Sequence, residues 1–190
     1  MIKLLQMKLK FDHVKATQAA AFMLRLAGSP LNYVALIKLL YKTDRKAIRE
    51  LGIPITTDEY VSMKHGPVTS KIYDLIKSSA SGKHPTYWSK HIQRIPNQHF
   101  VVLECDPGTS ELSIAEERII SEIFKTDGSK DRFELVDETH LEFPEWTDPG
   151  NSSAPIEIED IIAALGLSED EASHVEAMIS LQQSAMSLAE

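Results

Sequence analysis

The sequence predicts an α+β fold that is mainly α-helical: a compact helical domain carrying one small β-hairpin. Three observations predict it. Apolar residues recur at helical spacing in several segments that carry helix start and stop signals. Two short β-like runs, "YWSKHIQRI" and "HFVVLE", are joined by "PNQ" in the manner of a hairpin. Strands and helices do not alternate regularly, which separates an α+β chain from an α/β one.

The elements follow in order. A first helix is expected from about Asp12 to Ala27, with an alanine-rich centre and Gly28 just past its end. Ser29-Pro30 breaks the chain, and Asn32 can cap a second helix, "YVALIKLLYKTDRKAIREL". Val34, Ile37, Leu40, Tyr41, Ile48 and Leu51 give it an apolar face, with Tyr41 assigned to the core. Lys38, Lys42, Arg45, Lys46 and Arg49 take the rest of the circumference, and Gly52 and Pro54 end the helix. Thr56 with Glu59 suits a capping box for a short helical turn, although "YVSM" also suits a strand. At Gly66-Pro67 an extended chain arrives and a helix starts, because the residue before proline avoids the α region and proline fits a first helical turn. Val68, Ile72, Leu75 and Ile76 stripe that helix. After the hairpin, Ser113 with Glu116 boxes the start of a helix to about Lys125, and "DRFELVDET" predicts another. "TDPGNSSAP", Thr147 to Pro155, is the linker-like stretch. Beyond it "IEIEDIIAAL" reads as a helix stopped by Gly166, and Ser168 with Glu171 opens a last one through Val175 and Met178.

Composition narrows the function classes. With 190 residues, 43% of them hydrophobic and 25% charged, the chain has the make-up of a soluble globular protein with one sizeable core. No stretch approaches about 18 consecutive apolar residues, so no membrane partner is expected. The start is interrupted by Lys8, Lys10, Asp12, His13 and Lys15, which leaves no continuous signal-peptide core, and the expected location is the cytoplasm. Cys105 is the sole cysteine, which rules out an intrachain disulfide and a zinc ribbon. The net charge of -8 conceals an asymmetry. Residues 1–100 carry 16 Lys and Arg against 6 Asp and Glu, a balance of +10, and residues 101–190 carry 4 against 22, a balance of -18. Either the halves neutralise each other by packing together, or the basic half meets an acidic partner.

Catalytic sets are scarce. The phosphate-loop, dinucleotide, zinc-protease and nucleophile-elbow motifs are all missing. His84, His91 and His99 fall in or near the hairpin without cysteine or carboxylate partners at ligand spacing, and no metal or other cofactor is expected. "DETHLEFPEW" gathers Asp137, Glu138, His140, Glu142 and Glu145, where an acid/base pair with His140 competes with a structural reading. In the structural reading, which we favour, His140 and Trp146 are mostly buried and lock a helix end into the core, with the carboxylates in water. Lys64 and His65, beside a helix beginning at Pro67, could help its free N–H groups hold an anion, but such ends are usually satisfied by water or neighbouring side chains. For nucleic acid, a winged-helix-like arrangement would use the helix after Pro67, yet its cations are only Lys71 and Lys77, with no Arg, Asn or Gln to read bases. The wing would offer Lys90 and Arg94. Nucleic-acid binding by the isolated chain is therefore not expected.

Three segments in this order, "LIKLLYKTDRKAI", "ITTDEYVSMKHGPVTSKIYDLI" and "THLEFPEW", resemble the Panacea domain of SocA-like antitoxins. The motif positions are Lys38-Leu39-Leu40-Tyr41, Glu59-Tyr60, Gly66-Pro67 with Tyr73, and Thr139-His140 with Trp146. The likeness spans roughly residues 15–165, which suggests a domain over 1–166 with a C-terminal helical extension, 167–190, packed on it. The resemblance implies a non-enzymatic antitoxin that neutralises a cognate protein toxin encoded nearby by direct binding, with delivery of the toxin to a protease described in the family. The alternative is a winged-helix-like DNA-binding regulator of phage or mobile-element origin. Interfaces favour aromatic and arginine anchors with charged rims, so the partner-binding candidates are Tyr60, Tyr73, Tyr87 and Trp88, with Arg45, Lys64 and Lys71 as rim or steering charges.

Overall fold

The computed structural model describes residues 9–79 and 86–187. In chain order these form α1 (His13–Ala27), β1 (Leu31–Asn32), α2 (Tyr33–Leu51), β2 (Tyr60–Met63), β3 (Gly66–Thr69), α3 (Ser70–Ser79), α4 (Tyr87–His91), β4 (Ile92–Arg94) and β5 (Phe100–Leu103). Then follow α5 (Ile114–Asp127), α6 (Arg132–Glu142), β6 (Ala154–Ile156), α7 (Ile158–Ala164) and α8 (Glu169–Ser187). The fold is α+β and mainly helical, as the periodicity predicts. Two small antiparallel sheets accompany the helices, in orders β1-β5-β4 and β3-β2-β6.

α2 is the axis of the molecule. Asn32 caps it by accepting from the Val34 N–H at 2.9 Å, and Gly52 closes it in the left-handed conformation at φ 78°. Residues 35–44 are buried without a break, so the middle of this helix has no solvent face. One apolar cluster, with Leu36, Leu39, Ile72, Trp88 and Ile119, lies on one side. A second, with Tyr41, Ile48, Tyr60, Phe143, Ile161 and Ile179, lies on the other. The basic stripe read from the sequence is thus partly internal. Lys42 is 9% exposed and pairs with Asp127 at 2.6 Å and Glu138 at 3.0 Å, as a buried charge must.

Three local expectations are corrected. Thr56 and Glu59 form no helical turn: Thr56 donates its hydroxyl to Asp44, Glu59 is exposed, and the chain enters β2. The helix does not start at Pro67. Residues 66–69 are β3, paired with β2 in the register Met63↔Gly66 and Ser62↔Pro67, and α3 begins at Ser70. β3 is an edge strand, where proline's missing N–H is tolerated. The helix start is set instead by Asp58, whose carboxylate accepts from Lys71 N at 2.8 Å and Ile72 N at 3.0 Å.

The β4–β5 hairpin exists, but "YWSKH" is helical. Thr86 and Ser89 exchange side-chain and backbone hydrogen bonds in a capping box, and the strand begins only at Ile92. The linker-like "TDPGNSSAP" ends in β6, which pairs with β2 (Tyr60↔Ile156, Ser62↔Ala154). That pairing ties the segment after Trp146 to the sheet in front of α2. No described helix is long and apolar enough to cross a membrane.

Candidate functional site

Motif residues spread over a hundred positions of sequence, Lys38, Tyr41, Gly66, Pro67, His140 and Trp146 among them, meet at a junction between α2, the β2–β3 hairpin and the end of α6. Lys38 is 1% exposed, and its Nζ donates to the Pro67 carbonyl at 2.7 Å. Gly66, at φ 88°, passes so close that a Cβ there would lie 2.6 Å from Thr139 Oγ1 and 2.7 Å from Lys38 Nζ. Only glycine combines that backbone angle with that approach. Among the described residues neither Lys64 nor His65, the two residues of the turn, takes a positive φ, so Gly66 supplies the left-handed step that closes the hairpin.

One turn of α2 further on, the Tyr41 hydroxyl donates to Glu145 Oε1 at 2.8 Å, and Arg45 Nε donates to the same oxygen at 2.8 Å. The Glu145 side chain is fully buried, not in water as the sequence reading had it. Asp44, also on α2, is buried and accepts from the Ile55 and Thr56 backbone at 2.9 Å each and from the Tyr60 hydroxyl at 2.9 Å. Burial pushes the Asp44 carboxyl up to about 6, against the opposing pull of those donors. His140 and Trp146 stack at 4.0 Å, and Trp146 Nε1 donates to the Met63 carbonyl at 2.9 Å. Both residues are more buried than exposed without being fully interior, and among the described residues His140 Nε2 is buried with no hydrogen-bond partner. Desolvation first, then the charge of Lys38, holds the His140 imidazole below its usual range.

Beside this junction is a cleft of about 160 Å³, lined by Tyr33, Val34, Ile37, Lys38, Met63, Lys64, His65, Val68 and Tyr73. Its walls are apolar and aromatic; its rim is cationic. The candidates for partner contact separate by exposure. Lys64 is exposed on the hairpin turn and Tyr73 is half-buried, and both line the cleft. Tyr60 and Trp88 are interior, at 5% and 0% exposure, so their rings serve the core in the folded chain. Arg45 is engaged with Glu145 and with the Ala164 carbonyl at 3.2 Å. Lys71 pairs with Glu59 at 3.1 Å, and Tyr87 packs against His91 at 4.7 Å on another part of the molecule. Tyr33, which the sequence did not single out, stacks on Tyr73 at 6.3 Å.

Of the carboxylates in "DETHLEFPEW", Glu145 is bound to Tyr41 and Arg45, and Glu138 to Lys42 and Lys130, so neither is paired with His140. No helix starts at Pro67, so the N-terminal anion site considered there has no basis. Among the described residues no group of three or more His, Cys, Asp or Glu could hold a metal ion; His84 lies outside them. A family model described as antitoxin SocA-like, Panacea domain, matches residues 36–147. That span runs from the start of the buried part of α2 to just past Trp146. No curated protein and no solved structure matches the chain.

Proposed function

Because the chain belongs to the SocA-like antitoxin family with a Panacea domain, we propose that it neutralises a cognate protein toxin, encoded nearby, by direct binding in the cytoplasm. The observation that carries this reading is the family match over more than half of the chain. The geometry is consistent with it. Motif residues build a hydrogen-bonded junction, and an apolar, aromatic cleft lies beside it. Such a cleft supplies the water-excluding anchor pockets from which interfaces draw most of their energy. A stable complex would bury about 1,200–2,000 Å² in total, far more than the cleft, so the contact must extend over its surroundings.

In this reading the antitoxin domain occupies 1–166 and residues 167–190 are an extension resting on it. Val175 and Ile179 of α8 belong to the apolar cluster that contains Tyr41 and Tyr60. The experiment is co-expression of the chain with the product of the adjacent gene. Growth rescue should be accompanied by co-purification, and Tyr73→Ala should weaken both while the free chain keeps a cooperative melt. Rescue without any complex would contradict direct neutralisation.

A further inference from the structure

Lys38 is the anomaly of this fold. Its neighbour Lys42, one turn along α2, is shielded by two carboxylates, whereas Lys38 is more deeply buried and has no carboxylate partner among the described residues. Among the described residues its one hydrogen bond goes to the Pro67 carbonyl, which leaves the other donors of an ammonium group without an acceptor there. Buried cations without a counter-charge are costly, and folds normally avoid them or supply the partner. Lys38 also forms part of the lining of the cleft between α2, the hairpin turn and α3. Around that cleft lie further cations: Lys64 is exposed on its rim beside His65, the Arg94 guanidinium sits 5.0 Å over Tyr33, and the Lys77 ammonium 4.4 Å over Tyr73. The acid on this face of α3, Asp74, is paired with Lys77 at 2.7 Å.

We infer that this cleft receives an acidic side chain of the toxin, its carboxylate seated on Lys38 and its apolar neighbours laid against Tyr33, Ile37, Val68 and Tyr73. The inference rests on the toxin-binding reading above and names the chemistry of its contact. Charge complementarity carries it: an apolar cleft lined in part by Lys38, a lysine without a carboxylate partner among the described residues, and rimmed by Lys64, matches an acidic, partly apolar segment. Burial holds the Lys38 amine down to about 7 in the free chain, so an arriving carboxylate favours the ammonium form and draws a proton from solvent. The other groups facing this region are His140 of α6, His65 and Lys64 of the turn, and Tyr33 and Tyr73 on α2 and α3.

The test uses the purified product of the adjacent gene and calorimetric titration. Lys38→Met should weaken the complex at least tenfold while the free variant keeps its cooperative melt. Among Asp→Asn and Glu→Gln variants of the toxin, one should show a similar loss, and combining it with Lys38→Met should add little more. Titrations at pH 8 in buffers of different ionisation enthalpy should show proton uptake by the wild-type chain that Lys38→Met abolishes. If Lys38→Met does not fold, Lys64→Glu and Arg94→Glu read the same surface, and each should slow association most at low salt. Wild-type affinity in Lys38→Met, strict additivity with every acidic variant, or unchanged association rates in both rim variants would overturn the inference while leaving toxin binding intact. No complex with the wild-type chain overturns the antitoxin reading and this inference together. Duplex DNA binding that is lost in Lys38→Met and falls steeply with salt would assign the cleft to phosphate and overturn the inference.

Discussion

Lys38 and Lys42 stand four residues apart on one helix and solve burial in opposite ways. Lys42 is ion-paired with Asp127 and Glu138, and Lys38, without such a partner among the described residues, has its basicity lowered to about 7 by desolvation. A lysine whose folded pKa is depressed binds fewer protons folded than unfolded between about 7 and its ordinary value of about 10.4. Stability therefore rises with pH across that window. Denaturation of the wild type and of Lys38→Met should show the wild type gaining on the variant between pH 7 and pH 10; a gap independent of pH would mean that Lys38 stays charged. Gly66 gives the second prediction at this scale. Gly66→Val combines a left-handed backbone with a Cβ aimed at Thr139 and Lys38, both interior, and should cost roughly 1–3 kcal/mol. Thermal melting checks it, and an unchanged midpoint would contradict the junction as described.

Among the elements, what was legible in the sequence depended on how far each cap sits from its helix. Asn32, Ser113 with Glu116, and Ser168 with Glu171 all lie beside the first turn they cap, and each was readable as a local signature. Asp58 caps α3 from 13 residues upstream, and Asp44 takes the Thr56 hydroxyl that would otherwise have capped a turn. Neither partnership has a local trace, so the β2–β3 hairpin was read as a helix start. The same limit applies to the candidate site. The motif positions were recognisable, but only the packing shows that Tyr60 and Trp88 face inward and that Tyr33 faces the cleft. Asp58→Ala should remove the α3 cap at a cost of about 0.5–2 kcal/mol, with Asp58→Asn milder because one acceptor remains. Amide exchange at Lys71 and Ile72 should accelerate most in the alanine variant; uniform protection would argue that α3 holds its start without Asp58.

For the whole molecule, the charge asymmetry visible in the sequence is partly spent inside the fold. Lys15, Arg25, Lys42, Arg45 and Lys46 of the basic first hundred residues reach Glu116, Asp106, Asp127, Glu145 and Glu122 of the acidic remainder. The net charge of -8 remains to oppose a phosphate backbone, so the isolated chain should retain duplex DNA at most weakly near 150 mM salt, as an electrophoretic shift would show. Nanomolar binding to its own promoter without a partner would reverse that conclusion. Toxin binding is the central claim, and the mass of the co-expressed pair tests it most directly. Size-exclusion chromatography with light scattering should give one species containing this chain and the adjacent gene's product in fixed ratio, present only where growth is rescued. Rescue with the two proteins eluting apart, or turnover of a small substrate by this chain alone, would contradict it.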